Sequence, residues 1–244
     1  MARIFITGSA DGLGFLAANA LVSEGHNVVM HARNTRRAAE TQQKLPQAEA
    51  VLSADLQNID ETKQLAADAN KLGPFDAVIH NAGVYQAPAQ LIFTVNTLAP
   101  YMLTCLIHKP ERLIYLSSGM HLQGRPNFEN FATSRISYSD SKLHVLMLSM
   151  AVARKWPGVY SNTINPGWVP TKMGGRGAPD DLQKGYETQV WLATGNDDKA
   201  KVSGRYFHHK KERSYNTTAN DVKLQDDFLH LCEKITGIAF PPQP

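Results

Sequence analysis

Tyr138 and Lys142 stand four positions apart at the head of an otherwise apolar run, in Ile136-Ser-Tyr-Ser-Asp-Ser-Lys-Leu143. On a helix that spacing puts a phenol and an ammonium on one face. Such a pair could move a proton. A free tyrosine, with a pKa near ~10, is a poor base at neutral pH, and a nearby ammonium favours the phenolate. The same two residues could equally form a hydrogen-bonded pair on a solvated first turn, and Y-x-x-x-K spacing alone does not choose. Ser137, Ser139, Asp140 and Ser141 around them read as local capping or solubility choices.

A second feature opens the chain. Its first predicted strand leads into Thr7-Gly-Ser-Ala-Asp-Gly-Leu-Gly14 and then an Ala/Leu helix. A glycine-rich turn between strand and helix lets backbone N–H groups approach a pyrophosphate, whose charge the helix N-terminus favours. The G-x-x-x-G-x-G spacing differs from the G-x-G-x-x-G fingerprint, and a tight turn with a close-packed helix start is the plainer alternative. Strand before, amphipathic helix after and position at the chain's start favour a dinucleotide. The second predicted strand ends Val29-Met-His-Ala-Arg-Asn34, with Arg36 and Arg37 following. NAD sites commonly put a carboxylate there for the ribose hydroxyl, and NADP sites an arginine for the 2′-phosphate. Arg33 therefore favours NADP(H) over NAD(H). Asp11 counts the other way, because a carboxylate in the glycine loop would repel that phosphate.

The elements that must carry these residues alternate. Strands are predicted at 3–7, 27–31, 50–53, 75–80, 112–117, 160–165 and 204–208, and helices near 13–24, 35–45, 59–71, 95–108, 138–156, 180–194 and 221–236. Several strands are nearly all apolar, as in a parallel sheet covered on both faces. The order implies an α/β fold: a doubly wound, parallel Rossmann-type sheet of about seven strands with helices on both faces, in one domain spanning 1–244. The Gly/Pro-rich segment from Pro170 to Pro179 reads as a mobile loop, part of a substrate loop around 170–195.

Bulk properties narrow the partners. A formal net charge of +3 with 19% charged residues is only mildly basic. The densest cationic stretch, His208 to Arg213, is diluted by Glu212, so no nucleic-acid groove is expected. Cys105 and Cys232 lie far apart in apolar helical contexts, which offers neither a disulfide framework nor metal-ligand spacing and fits a reducing cytoplasm. The longest apolar stretch, Val145 to Ala153, is about half the ~20 residues of a membrane span, and the early first strand leaves no room for a signal peptide. A cytoplasmic protein is expected.

Four more segments fall in order: Asn81-Ala82-Gly83 after the fourth strand, Ser117-Ser118 after the fifth, Tyr138-x-x-x-Lys142, and Pro166-Gly167-x-x-x-Thr171 after the sixth. With the glycine loop, these resemble the short-chain dehydrogenase/reductase family over essentially the whole chain. The resemblance implies a catalytic set of Asn96, Ser118, Tyr138 and Lys142. Tyr138 would act as acid/base, Lys142 as its neighbour and holder of the nicotinamide ribose, Ser118 as partner of the substrate carbonyl, and Asn96 as support for a water relay. It also implies cofactor contacts from Gly8, Ser9, Asp11, Gly12, Leu13 and Gly14; from Arg33, Asp55 and Leu56; from Asn81, Ala82 and Gly83; and from Pro166, Gly167, Val169 and Thr171.

The separation of Ser118 from Tyr138, and the tail from Gly204 to Gly237, resemble the retinol-dehydrogenase-like branch. That implies a lipophilic carbonyl or alcohol substrate. Trp168, Met173, Phe128, Phe131, His121 and Trp191 are candidates for an aromatic pocket wall, although core packing suits Phe128, Phe131 and Trp191 as well, and His121 suits a polar gate or bystander. The helix from Leu143 is apolar on nearly every side, so one face should meet the sheet and the other could meet a second subunit in a homodimer or homotetramer. The segment between Asn81 and Asn96 is shorter than the family usually shows, which puts that pairing in doubt. Two other functions compete: a catalytically silent nucleotide sensor, and a nucleotide-sugar epimerase or dehydratase, which shares Y-x-x-x-K but carries a larger C-terminal substrate domain.

Overall fold

The computed structural model describes residues 1–242. Seven parallel strands form the sheet: β1 (Arg3–Ile6), β2 (Asn27–Ala32), β3 (Ala50–Ser53), β4 (Ala77–His80), β5 (Arg112–Leu116), β6 (Tyr160–Asn165) and β7 (Arg205–His208). An eighth, β8 (Lys211–Glu212), pairs antiparallel with β7, and the order is β3-β2-β1-β4-β5-β6-β7-β8. This is the doubly wound α/β architecture that the sequence implies, with one strand more than expected. Two exposed charged residues carry no apolar pattern, so β8 had no signal to find.

Alternation along each strand feeds two cores. Phe5, Val29, Val78, Leu113 and Tyr115 face one layer, while Ile4, Ile6, Val28, Met30, Ile79 and Ile114 face the other. The second layer is closed by α1 (Gly12–Ser23) and α7 (Leu182–Thr194), with α2 (Thr35–Lys44) beyond them. The first is closed by α3 (Ile59–Lys71), α4 (Ala89–Phe93), α5 (Ala99–Leu106), α6 (Tyr138–Lys155) and α8 (Val222–Thr236). Of the segment read as a substrate loop, residues 170–181 are irregular, whereas Leu182–Thr194 is helix.

Two helices depart from expectation in ways that matter for the site. The fourth begins at Ala89 rather than near 95, and a π-helical turn at Thr94–Leu98 joins α4 to α5. Pro100 has no N–H to give the carbonyl of Asn96 four residues back, and its ring crowds that carbonyl, so the helix opens there. By length and composition Ala89–Leu106 could cross a membrane, with mean hydropathy 1.3, but 67% of it is buried inside this fold. The other departure is α6. It is buried from Asp140 to Val152 without a break, because its far side is covered by Phe228, Leu229 and Cys232 of α8.

Candidate active site

The glycine loop between β1 and α1 is shaped by close approach. Gly8 has φ +62°, and a Cβ there would lie 2.8 Å from the Ala82 Cα. A Cβ on Gly14 would strike the Asn81 amide. That amide donates to the carbonyls of Thr7 and Gly8, 2.9 Å each, and the Ala82 N–H donates to Thr7 Oγ1 over 3.0 Å. Asn81-Ala82-Gly83 is thereby stitched to the loop it was expected to accompany. Asp11 sits at the N-cap of α1 yet does not cap it. Its carboxylate takes Arg37 Nη2 at 2.7 Å and Lys172 Nζ at 3.0 Å instead. The first-turn amides of α1 are thus left without a side-chain cap, which is the arrangement that binds phosphate oxygens. Partial burial pushes the Asp11 carboxyl upwards, but the hydrogen bonds from Arg37 and Lys172 outweigh it and hold it below the usual carboxylate range.

That pairing answers the objection raised by Asp11, since two cations neutralise its charge. Arg33, Arg37 and Lys172 all line the same cleft. Arg33 is exposed and makes no ion pair among the described residues, whereas Arg36 turns outward to Glu40. At the β3 side, Asn58 caps α3, so Asp55 is not the capping residue. Its carboxylate accepts from the N–H and the side-chain amide of Gln57 at 3.1 and 2.7 Å, and it lines the cleft with Leu56.

Of the residues expected to do chemistry, Tyr138 and Lys142 line the opposite end of that cleft, whereas Asn96 and Ser118 are not part of its lining. Asn96 is fully buried in the π turn; its Oδ1 accepts from the Val84 N–H at 2.8 Å, and its Nδ2 donates to Val84 O at 3.0 Å and Ser141 Oγ at 3.1 Å. Ser137 and Asp140 form a reciprocal capping box that fixes where α6 starts. This delivers Tyr138 and Lys142 to the cleft wall. Lys142 Nζ donates to Leu116 O at 2.8 Å and lies 5.5 Å from the Tyr138 ring centroid. Ser118 Oγ accepts from Met120 N–H at 3.2 Å, capping a 3₁₀ turn at Gly119–Gln123.

The electrostatics differ from the expected ones. Burial pushes the Tyr138 phenol up to about 12, against a hydrogen bond with Ser118 that lowers it, and Tyr85 adds a small upward push. Complete burial pulls the Lys142 ammonium down to about 8. The ammonium was expected to bring the phenol towards neutrality. Instead it sits over the ring face with its hydrogen bond spent on Leu116, and desolvation prevails.

Several positions fall outside the cleft. Trp191 packs on Phe207 and donates its Nε1–H to Asp197. Phe128 and Phe131 sit in the core against His144 and Phe228. His121 is fully buried: a ring nitrogen meets Ser118 O at 2.6 Å, and Nε2 accepts from Asn216 N–H at 3.3 Å. Ser9, Gly14, Gly167 and Val169 lie behind the wall, whereas Gly8, Gly12, Leu13, Gly83, Pro166 and Thr171 line it. Three contributors escaped sequence reasoning. Ser141, which the sequence presents as a local capping or solubility choice, is buried between Asn96 and the Tyr138 carbonyl; a serine three residues after Tyr138, inside an apolar helix, is its signal. Ser117 Oγ donates to Lys142 O at 2.8 Å. Tyr85 packs edge-on to Tyr138, with centroids 4.7 Å apart.

The cleft, about 430 Å³, runs from the arginines past the glycine loop to Tyr138. Glycines where side chains would collide and an uncapped helix start fit a nicotinamide dinucleotide.

The comparisons agree. A family model described as short chain dehydrogenase matches residues 2–181. An uncharacterized oxidoreductase of Emericella nidulans is 46% identical over 254 residues, covering 99% of each chain. A short-chain dehydrogenase of Penicillium rubens is 42% identical, covering 99% of this chain and 100% of its own. Retinol dehydrogenase 14 of Mus musculus is 28% identical, covering 96% of this chain and 86% of its own. Among solved structures, a blue fluorescent protein from a metagenomic library in complex with NADPH aligns with TM-score 0.72 at 20% identity, covering 84% of this chain and 95% of its own.

Proposed function

The chain belongs to the short-chain dehydrogenase/reductase family, NAD(P)-dependent oxidoreductases acting on CH–OH and C=O groups, and we propose that it is an NADP(H)-dependent carbonyl reductase for a lipophilic small molecule. The observation that carries this reading is the convergence of Tyr138, Lys142, the glycine loop and the exposed Arg33 on one cleft. Arg33 stands where a guanidinium can take a 2′-phosphate, and Asp11, held by Arg37 and Lys172, no longer opposes it. Two solved neighbours carry the phosphorylated cofactor: the metagenomic protein with NADPH and a short chain dehydrogenase from Shigella flexneri with NADP.

A bound nicotinamide dinucleotide supplies the hydride. Ser118 would donate a hydrogen bond to the substrate oxygen, where negative charge grows. Tyr138, kept a neutral phenol by burial, is loaded to give that oxygen its proton. Lys142 would orient the ribose and, through its charge, stabilise the phenolate left behind. Asn96 and Ser141 hold the Val84 turn and the start of α6 in one frame, fixing where Tyr138 sits. At neutral pH burial keeps the phenol protonated, the form that the reductive direction requires.

Tyr85, Met120, Leu122, Trp168 and Met173 are exposed large apolar side chains on the turns after β4, β5 and β6. Of these, Met173 lines the cleft and Tyr85 packs on Tyr138, so apolar surface borders the proposed reaction site, which suits a lipophilic substrate. Following NADPH absorbance against a panel of aromatic and aliphatic ketones and aldehydes tests the function. Turnover with at least one lipophilic carbonyl is expected, and no turnover with either NADPH or NADH across the panel overturns it.

A further inference from the structure

The end of β2 holds a histidine that the reading above leaves without a role. His31 is 3% exposed, and its ring lines the cleft. Nδ1 meets the Gly8 N–H at 2.9 Å, and Nε2 meets Ala54 O at 2.9 Å. An N–H can only donate and a carbonyl can only accept, so Nδ1 must be bare and Nε2 must carry the proton. The backbone repeats the link: the His31 N–H donates to Ser9 Oγ at 2.9 Å, and the Ser9 N–H donates to His31 O at 3.0 Å. One residue therefore joins the phosphate end of the cleft, at Gly8 and Ser9, to its adenine end, at Ala54 beside Asp55.

We propose that His31 is a positioning residue for the dinucleotide, its bare Nδ1 holding the glycine loop while the bond from Nε2 to Ala54 fixes the tautomer that leaves Nδ1 bare. This rests on the cofactor reading above. Burial alone does not call for a histidine here, since Val28, Val29 and Met30 fill the same strand with apolar side chains. What the ring adds is a fixed acceptor for Gly8, in a loop that positive φ and the contact with Ala82 already hold tightly. Without that acceptor, the half-buried Gly8 N–H loses its partner, and the loop populates shapes that do not bind cofactor. Burial keeps the ring neutral, with its pKa pulled down to about 4 against the hydrogen bond to Ala54 and the charge of Asp55.

Two substitutions separate the two ring bonds. In His31→Asn the side-chain oxygen stands near the Nδ1 position and can still accept from Gly8. In His31→Gln the side-chain amide stands near Nε2 and can donate to Ala54, but nothing accepts from Gly8. The measurement is the Kd of NADPH and of NADH by fluorescence titration, with Tm recorded for each variant. His31→Asn should keep most of the affinity, within about threefold, while His31→Gln weakens both dinucleotides about tenfold, with comparable losses of Tm. Equal losses for NADPH and NADH separate this role from that of Arg33, which concerns the 2′-phosphate alone. Wild-type affinity in His31→Gln, or equal weakening in both variants, overturns the proposal. A wild type that binds neither dinucleotide overturns the cofactor reading beneath it. Should His31→Gln fail to fold, ¹⁵N NMR of histidine-labelled wild type decides: the proposal requires the Nε2–H tautomer at pH 7, and an Nδ1–H or doubly protonated ring contradicts it.

Discussion

Asn96 donates from its side-chain nitrogen to Ser141 Oγ over 3.1 Å, while the same side chain holds both backbone groups of Val84. It can do so because Pro100 opens the helix into a π turn, which directs position 96 towards α6 and the Asn81–Val84 turn. Asn96→Ala would take their partner from the backbone N–H and C=O of Val84 and leave Ser141 Oγ with its bond to the Tyr138 carbonyl alone. The expected cost is about 2 kcal/mol of stability, read from denaturant unfolding. The rate of carbonyl reduction should fall by more than the affinity for NADPH. Unchanged stability and rate would mean that water replaces the amide at no cost.

Cofactor choice turns on Arg33. On the proposed reading Arg33 takes the 2′-phosphate, which exists only on NADP(H), so Arg33→Ala should raise the Kd of NADPH about tenfold or more while leaving NADH within about twofold. Titrating both cofactors in both proteins checks this. Equal affinity for the two in the wild type contradicts it.

The rate should depend on pH through Lys142. Its ammonium, pulled down to about 8, is charged at neutral pH and loses its proton above that value. Tyr138, near 12, remains a phenol throughout. NADPH-dependent reduction should therefore be flat from about pH 6 to 7.5 and decline above pH 8. A rate that climbs through pH 9 would show that phenolate, not phenol, limits turnover.

Acid should destabilise the fold through three buried rings. Burial pulls His31 and His144 down to about 4 and His80 to about 3. The unfolded chain takes up protons near pH 6.5, before the folded one does. The stability these neutral rings carry is thus complete above pH 6.5 and is lost progressively as pH falls towards 4. Each can contribute a slope of up to about 1.4 kcal/mol per pH unit. Tm should drop by roughly ten degrees between pH 7 and pH 5, and a Tm that stays flat over that range contradicts this account.

Much of the fold is written locally. The apolar strands, the glycine turn and the alternation of elements specify the sheet because each signal lies within a few neighbouring residues. Arg33 and the Tyr138–Lys142 pair were legible for the same reason: their positions follow from a strand end and a helix spacing. What stayed hidden depends on distant partners. Asp11 reads as an obstacle until Arg37, 26 residues on, and Lys172, 161 residues on, close around it. The burial of Ser141, the bracing by His31 and the cover of α8 over α6 are likewise set by tertiary packing. The phenol's pKa was misjudged because spacing reports proximity but not desolvation.

The central claim is that Tyr138 delivers the proton in a cofactor-dependent reduction, and Tyr138→Phe tests it most directly. The substitution removes one hydroxyl and keeps the ring that packs on Tyr85. With a carbonyl that the wild type reduces, NADPH oxidation by Tyr138→Phe should fall by at least about a hundredfold, while the Kd for NADPH stays within about threefold. A variant that binds NADPH normally and still turns over at the wild-type rate contradicts the account.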